Sequence, residues 1–313
     1  MTVSSLAHPE SKAEVAQRPD PRAVLTLLKP VTWFPPMWAF SCGVVSSGVA
    51  LTAERGWVLA LGIALTGPLV CASSQAVNDW FDRHVDAINE PTRPIPSGRI
   101  PGRWGLYIGV AWSLLALLVA VPLGTGGVIA TVIALAFSWA YSMPPIRLKA
   151  NGWLGNLAVG LTYEGLAWVT GAAIMLAPAL PDARILGVAL LYSLGAHGIL
   201  TLNDFKAISG DRAMGVRSLP VQLGEAGAAR VASIVMIVPQ LVVIALLVTW
   251  GMPLRALTVG ALVAIQVGLM LWFVRLPVAR ALYLSAFGVP FYVAGMMVTA
   301  FGLRTLAATS VGT

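Results

Sequence analysis

Long apolar runs separated by short polar stretches dominate the chain from Val31 onward. Nine of them approach or exceed the roughly 20 residues that carry a helix across a bilayer. They are Val31–Leu51, Gly56–Val77, Trp104–Thr125, Gly126–Ile146, Trp153–Leu180, Ile185–Leu202, Val231–Gly251, Ala256–Val274 and Ala281–Leu303. Lipid offers no partner to open backbone N–H and C=O groups, so such runs must be helices. The two-residue alternation of a membrane-spanning barrel is absent from them. The pattern predicts an all-α integral membrane protein with nine transmembrane helices over residues 30–304. A flexible polar tail is expected over 1–29 and a short tail over 305–313. The first run is longer than the apolar core of a signal peptide and follows a polar, proline-containing leader, so it reads as a retained span.

Composition agrees. The chain is 58% hydrophobic and 11% charged, where a soluble domain carries about 25% charged residues. This excludes most soluble classes. The net charge of +7 need not mean nucleic acid, because position matters more than sum. With nine spans and a cytoplasmic N-terminus, the inner loops hold 16 of the 20 Lys and Arg residues and the outer loops hold Arg55, Arg184, Arg255 and Arg304. That asymmetry follows the positive-inside rule. It predicts a bundle whose central cavity opens toward the cytoplasmic side, with basic loops suited to an anionic leaflet or an anionic substrate. Cys42 and Cys71 both fall within spans and read as small packing residues.

Acids are few in this chain, so their placement is informative. Five of the seven aspartates sit in two short segments, each directly after an inner helix end. In the first, Asn78, Asp82 and Asp86 are spaced i, i+4, i+8, which stacks them on one helix face, with Asp79 beside them. In the second, Asp204 and Asp211 are seven apart. Each segment runs from an apolar span to Asn-Asp, then Asp-Arg, then Arg93-Pro94-Ile95-Pro96 or Arg217-Ser218-Leu219-Pro220, a short internal repeat. Carboxylates stacked this closely repel unless a cation screens them. One such segment could simply be solvated acids at a helix end; two on the same side point to a shared ligand.

Mg²⁺ takes oxygen ligands, keeps several waters and binds substrate phosphates. Two acidic clusters facing each other could therefore hold Mg²⁺ against a diphosphate, through Asn78, Asp82, Asp86, Asp204 and Asp211. Of these, Asp82, Asp86 and Asp211 are the candidate catalytic residues. Arg93, Arg147, Lys149, Lys206 and Arg212 stand in inner loops beside the spans and are candidates for the diphosphate oxygens. No Walker-type loop, HExxH or Cys/His cluster offers an alternative. If the electrophile is C1 of a prenyl chain, ionisation gives an allylic cation that an apolar bundle keeps from water. Glu164 lies inside a span, where an acid is functional by default. His197, one heptad before Asp204, is a candidate to ligate or orient an acceptor.

At these residues the chain resembles the membrane-embedded ubiquinone-type (UbiA) prenyltransferases. Their Asn-x-x-x-Asp-x-x-x-Asp motif falls on Asn78, Asp82 and Asp86, and their Tyr-x-x-Pro-Pro stretch on Tyr141-Ser142-Met143-Pro144-Pro145. The second family motif, Asp-x-x-x-Asp, is incomplete, with Ala207 four before Asp211. The stretch from Ile88 to Gly98 and Asn203-Asp204-Phe205-Lys206 are similar to the chlorophyll synthase branch, which usually has Glu where Ser209 stands. Trp33–Ala39 and Gly195–Ile199 resemble its bacteriochlorophyll-forming members.

The resemblance implies nine transmembrane helices, Mg²⁺ as cofactor, and esterification of a bacteriochlorophyllide propionate with geranylgeranyl or phytyl diphosphate. Tyr141, Glu164 and His197 are the candidate acceptor-pocket residues. The resemblance also implies a bacterial inner or intracytoplasmic membrane, and pigment-pathway or assembly proteins as partners. A propionate is already ionised at neutral pH, so no protein general base is expected. Two alternatives stand beside this: the same fold acting on a quinone precursor, a haem or a glycerol phosphate, and a transporter.

Overall fold

Helices of 37 and 39 apolar residues would be nearly 60 Å long at 1.5 Å per residue, about twice a hydrocarbon core of roughly 30 Å. The chain therefore has to bend, and Gly and Pro mark where. The computed structural model describes residues 18–310. Among these the regular structure is helical, and the one β-type contact is an isolated bridge between Asn151 and Arg217.

Helix α1 (Pro21–Leu28) starts at Asp20, whose side chain accepts from the Arg22 N–H, and buries Ala23, Leu27 and Leu28. It packs on α4, so the last part of the expected 1–29 tail is a helix docked on the bundle; residues 1–17 lie outside the described residues. Helix α2 (Phe34–Ser46) is only 13 residues long. The first expected span, Val31–Leu51, is thus helical over little more than half its length. Pro30 opens a separate 3₁₀ turn, Pro30–Thr32, Pro35 and Pro36 sit in the first turn of α2, where a missing N–H costs nothing, and Gly48, at φ +75°, marks the turn beyond its end.

Helix α3 (Gly56–Ala64) passes through a π-helical stretch, Leu65–Cys71, into α4 (Ala72–Asn89). Pro68 lies in the stretch, and wide π turns absorb the hydrogen bond a proline removes. Trp112 Nε1 donates to the Pro68 carbonyl at 3.1 Å. Helices α5 (Trp104–Ala120) and α6 (Gly124–Ser142) are joined by a 3₁₀ turn containing Pro122, closed by Gly124 at φ +80°, and pack on each other.

Helix α7 (Gly152–Gly160) runs through a second π stretch, Leu161–Leu166, into α8 (Ala167–Leu176). Then come α9 (Ala183–Asp204), the short α10 (Ile208–Ala213), α11 (Leu219–Thr249, broken at Gly224), α12 (Pro253–Phe273) and α13 (Pro277–Ser310). Among the described residues, seven stretches are long and apolar enough to cross a membrane, counting α3–α4, α5–α6 and α7–α8 each as one. The chain is a multi-pass membrane protein.

Close backbone approach holds the bundle together, since lipid supplies little hydrophobic drive between helices. A Cβ on Gly43 of α2 would lie 1.9 Å from the Trp168 carbonyl of α8, and one on Gly171 of α8 would lie 2.2 Å from the Phe40 carbonyl. Trp168 stacks on Tyr192, and the Tyr192 hydroxyl shares a hydrogen bond with Thr299 at 2.9 Å. Gln240 and Gln266 donate to each other's side-chain oxygens at 3.1 Å, fastening α11 to α12 inside the apolar layer.

Candidate active site

A helix end leaves backbone groups and polar side chains without intrahelical partners, so the loops between spans are where charge collects. Three such regions close around one cavity of about 580 Å³: the C-terminal half of α4 with its following loop, the α6–α7 loop, and the end of α9 with α10. The bridge at Asn151 ties the last two together. Gly152 N–H donates to the Arg217 carbonyl at 2.8 Å, and Arg217 N–H to the Ala150 carbonyl at 2.9 Å.

On the α4 wall, Asn78, Asp82 and Asp86 all line the cavity, as their helical spacing predicts. Asn78 donates to Ser142 Oγ at 3.2 Å. Asp82 is held by Lys149 Nζ at 2.5 Å and by Arg147 at 3.5 Å. Burial pushes the Lys149 ammonium below its ordinary pKa, and the Asp82 charge pulls against that.

Asp86 is held by Arg93 at 2.8 Å, which also reaches Glu90 at 2.6 Å. Burial works against the Arg93 charge, but Glu90, Asp79 and Asp86 outweigh it and raise its pKa. Asp79 is turned away from the cavity and only 2% exposed. There it accepts from Lys29 Nζ at 2.6 Å and lies 3.5 Å from Arg93. The first acidic segment therefore splits into residues on the cavity and one that anchors the loop behind it.

The opposite wall carries Asp204 and Asp211. Among the described residues neither has an ion pair. Asp204 accepts from Asn156 Nδ2 at 3.1 Å, and Asn156 also donates to Thr201 at 3.2 Å. Burial raises the Asp211 carboxyl above its ordinary pKa. Lys206 and Tyr141 line the same cavity.

Three candidates do not. Arg212 follows Asp211 on a short helix, where one residue turns a side chain by about 100°, and is absent from the lining. Glu164 lies on the second π stretch, eight residues and some 12 Å along the helix from Asn156. His197 lies two helical turns before Asp204, but α7 stands between it and the aspartates, with the Trp153 ring 5.6 Å from the imidazole. Glu164 and His197 are therefore not brought to the aspartate cavity.

Sequence reasoning missed Asn156, Asn89 and Glu90, which line the cavity. The signal for Asn156 was present: a lone amide in an apolar run, on the small-residue face of Gly152 and Gly155.

Among the described residues, no three His, Cys, Asp or Glu side chains converge into a ready-made metal cluster. The candidate ligands on the two walls, Asp82, Asp86, Asp204 and Asp211 with the Asn78 amide, all offer oxygen. This set fits Mg²⁺, a hard cation that keeps several waters and completes its shell with substrate phosphates.

The sequence model of the UbiA prenyltransferase family matches residues 34–287. The bacteriochlorophyll synthase 33 kDa chain of Rhodobacter capsulatus is 55% identical over 288 residues, covering 91% of this chain and 94% of that one. Among solved structures, a digeranylgeranylglyceryl phosphate synthase shares the fold with a TM-score of 0.69 at 20% identity, over 91% of this chain and 98% of that one. A UbiA homologue from Archaeoglobus fulgidus, solved with GPP and Mg²⁺ bound, has a TM-score of 0.59 at 20% identity, over 90% of this chain and 99% of that one.

Proposed function

The chain belongs to the UbiA prenyltransferase family, and on that premise we propose that it esterifies the propionate of a bacteriochlorophyllide with geranylgeranyl or phytyl diphosphate, releasing diphosphate. The observation that carries the donor half is the single cavity in which two oxygen-donor walls face each other with Arg93, Arg147, Lys149 and Lys206 among them. The acceptor half is supported by the identity to the Rhodobacter capsulatus enzyme over nearly the whole chain.

Asn78, Asp82 and Asp86 on one wall and Asp204 and Asp211 on the other would hold Mg²⁺. Bound there, the metal neutralises charge that builds on the departing diphosphate. Lys149 and Arg147 bind Asp82, and Arg93 binds Asp86. These cations exchange their carboxylates for phosphate oxygens as the donor enters, so the wall stays charge-balanced before and after loading. Asn156 fixes the Asp204 carboxylate in rotation. Apolar helices around the cavity keep water from the allylic carbon. The acceptor carboxylate is ionised at neutral pH and attacks without a protein base.

The same reading gives nine crossings: α2, α3–α4, α5, α6, α7–α8, α9, α11, α12 and α13. A cytoplasmic N-terminus then puts the ends of α4, α6 and α9 on the cytoplasmic side, the side that carries 16 of the 20 basic residues.

The test is pigment esterification by purified protein in detergent with Mg²⁺, bacteriochlorophyllide a and geranylgeranyl diphosphate, beside Asp82→Ala. Ester formed by the wild type and abolished by the substitution is the expected result. Transfer to a quinone precursor or haem instead would leave the donor site and move the acceptor. No transfer to any acceptor by folded protein would overturn the enzymatic reading of this cavity.

A further inference from the structure

Helix α1 falls where the sequence pattern predicts a flexible tail, yet the residue at its end reaches the back of the active site. Ala23, Leu27 and Leu28 of α1 share an apolar cluster with Ala72 and Ala76 of α4 and with Ile95 and Ile100 of the loop that carries Arg93. The Asp20 N–H donates to the Arg99 carbonyl of the same loop at 3.3 Å. The helix ends at Lys29, whose φ of +48° is a left-handed conformation that a residue with a Cβ adopts only under constraint. Thr32 supplies the constraint: its N–H and its hydroxyl both donate to the Lys29 carbonyl, at 2.9 and 2.8 Å. Held in this way, Lys29 places Nζ 2.6 Å from Asp79 Oδ1.

That oxygen is shared. Arg93 Nη1 lies 3.5 Å from it and 2.8 Å from Asp86, while Arg93 Nε donates to Glu90 at 2.6 Å. Nη2 takes part in none of these contacts, and Arg93 lines the cavity. The three acids around the guanidinium differ in what happens to them as the site loads. On the proposed function, Asp86 turns to the metal. Glu90 is largely exposed, so water screens its hold. Asp79 is buried and faces away from the cavity, so nothing displaces it, and its charge is felt at a lower dielectric. Its Oδ2 has no hydrogen-bond partner among the described residues, which leaves Lys29 and Arg93 to offset its charge. Without Lys29, the buried carboxylate would draw Arg93 off the cavity wall.

We propose that Asp79 is a positioning residue for Arg93, and that Lys29, set by α1, balances it. Together they hold the guanidinium at the cavity with Nη2 toward the diphosphate once Asp86 has gone to the metal. The inference rests on the donor half of the proposed function and adds to it the helix α1, which becomes part of the donor site without touching the donor.

The experiment measures geranylgeranyl diphosphate affinity and the Mg²⁺ requirement of esterification on full-length protein in detergent. Asp79→Asn and Lys29→Gln are each expected to weaken donor binding by about tenfold, with the Mg²⁺ requirement unchanged. Lys29→Arg keeps the charge and restores wild-type affinity. Arg93→Gln weakens binding as well. Adding Asp79→Asn or Lys29→Gln to Arg93→Gln should then change affinity by no more than about twofold, because both act through the guanidinium.

Losses that multiply in the double variants overturn the proposal, since a packing role does not depend on Arg93. A raised Mg²⁺ requirement in Asp79→Asn at unchanged donor affinity also overturns it and makes Asp79 a metal ligand. Should Asp79→Asn fail to fold, Lys29→Gln, whose amide still donates to Asp79, decides alone. Weakened binding in Arg93→Gln beside wild-type binding in the Asp79 and Lys29 variants overturns this inference and leaves the donor site standing. Wild-type binding in Arg93→Gln removes Arg93 from the donor site of the proposed function itself.

Discussion

The two acidic walls of the cavity are built on opposite principles. Every carboxylate of the α4 segment is matched by a cation: Asp82 by Lys149 and Arg147, Asp86 by Arg93, Asp79 by Lys29. Across the cavity, Asp204 meets only the neutral Asn156, and Asp211 has no ion pair among the described residues. The first wall is stable as it stands and, on the proposed function, gives up its partners to bind a metal. The second carries half-buried, unneutralised acid and gains from any cation that arrives. Complementary walls of this kind favour metal and diphosphate entering together, because the displaced cations need phosphate as much as the bare carboxylates need metal.

The largest effect should come from breaking each wall at its centre. Asp82→Asn and Asp204→Asn should both lower esterification by about 100-fold or more, since each removes charge from the proposed metal shell. Their stabilities should diverge. Asp82→Asn strands Lys149 and Arg147 and should cost about 2 kcal/mol. Asp204→Asn relieves an unpaired acid and should leave the thermal midpoint unchanged or higher. The same loss of stability in both variants would erase the distinction between the walls.

A smaller effect sharpens the exchange. In the proposed exchange, Lys149→Met removes the cation that competes with metal for Asp82. Weaker binding of the prenyl diphosphate, by about tenfold, should accompany a lower Mg²⁺ concentration for half-maximal rate. If the Mg²⁺ requirement rises instead, Lys149 assists metal binding and the exchange is wrong.

How much of this could be read from the sequence varies with the kind of interaction. The i, i+4, i+8 spacing placed Asn78, Asp82 and Asp86 on one face because helical geometry is local. The two aspartate segments could be assigned to one side because alternation of spans is a counting argument. What escaped depends on contacts between distant segments. Asp79 and Asp82 are three apart on the same helix, yet one faces the cavity and the other a lysine fifty residues earlier. Asn156 matters through Asp204, forty-eight residues later. His197 was expected near the aspartates from its heptad spacing, and only the position of α7 shows the wall between them. The short α2 was hidden because hydropathy does not register where prolines and Gly48 stop a helix.

Asn156→Leu probes the neutral wall more gently. The variant deprives Asp204 and Thr201 of a donor while keeping bulk. A typical hydrogen bond contributes about 0.5–1.5 kcal/mol net, so a several-fold to tenfold loss of rate is expected, with the Mg²⁺ requirement raised. An unchanged Mg²⁺ dependence would mean Asp204 is not held for metal by this amide.

The smallest effect concerns the rim of the paired wall. Arg93 holds the Glu90 carboxyl below the usual glutamate range, its hydrogen bond being the main cause. The folded pKa lies below the unfolded value near 4.3, so the contribution is present above that value and is lost as pH falls through the lower folded one. Glu90 is 56% exposed, so water screens the pair and it should contribute no more than about 0.5 kcal/mol. Glu90→Gln should therefore flatten the acid side of the stability profile slightly and move the midpoint at neutral pH by no more than about 1 °C. Arg93 keeps Asp86 at 2.8 Å in either case, so catalysis should be nearly unaffected. A tenfold fall in rate on this substitution would show that Arg93 is positioned from the exposed rim and not by the buried aspartates behind it.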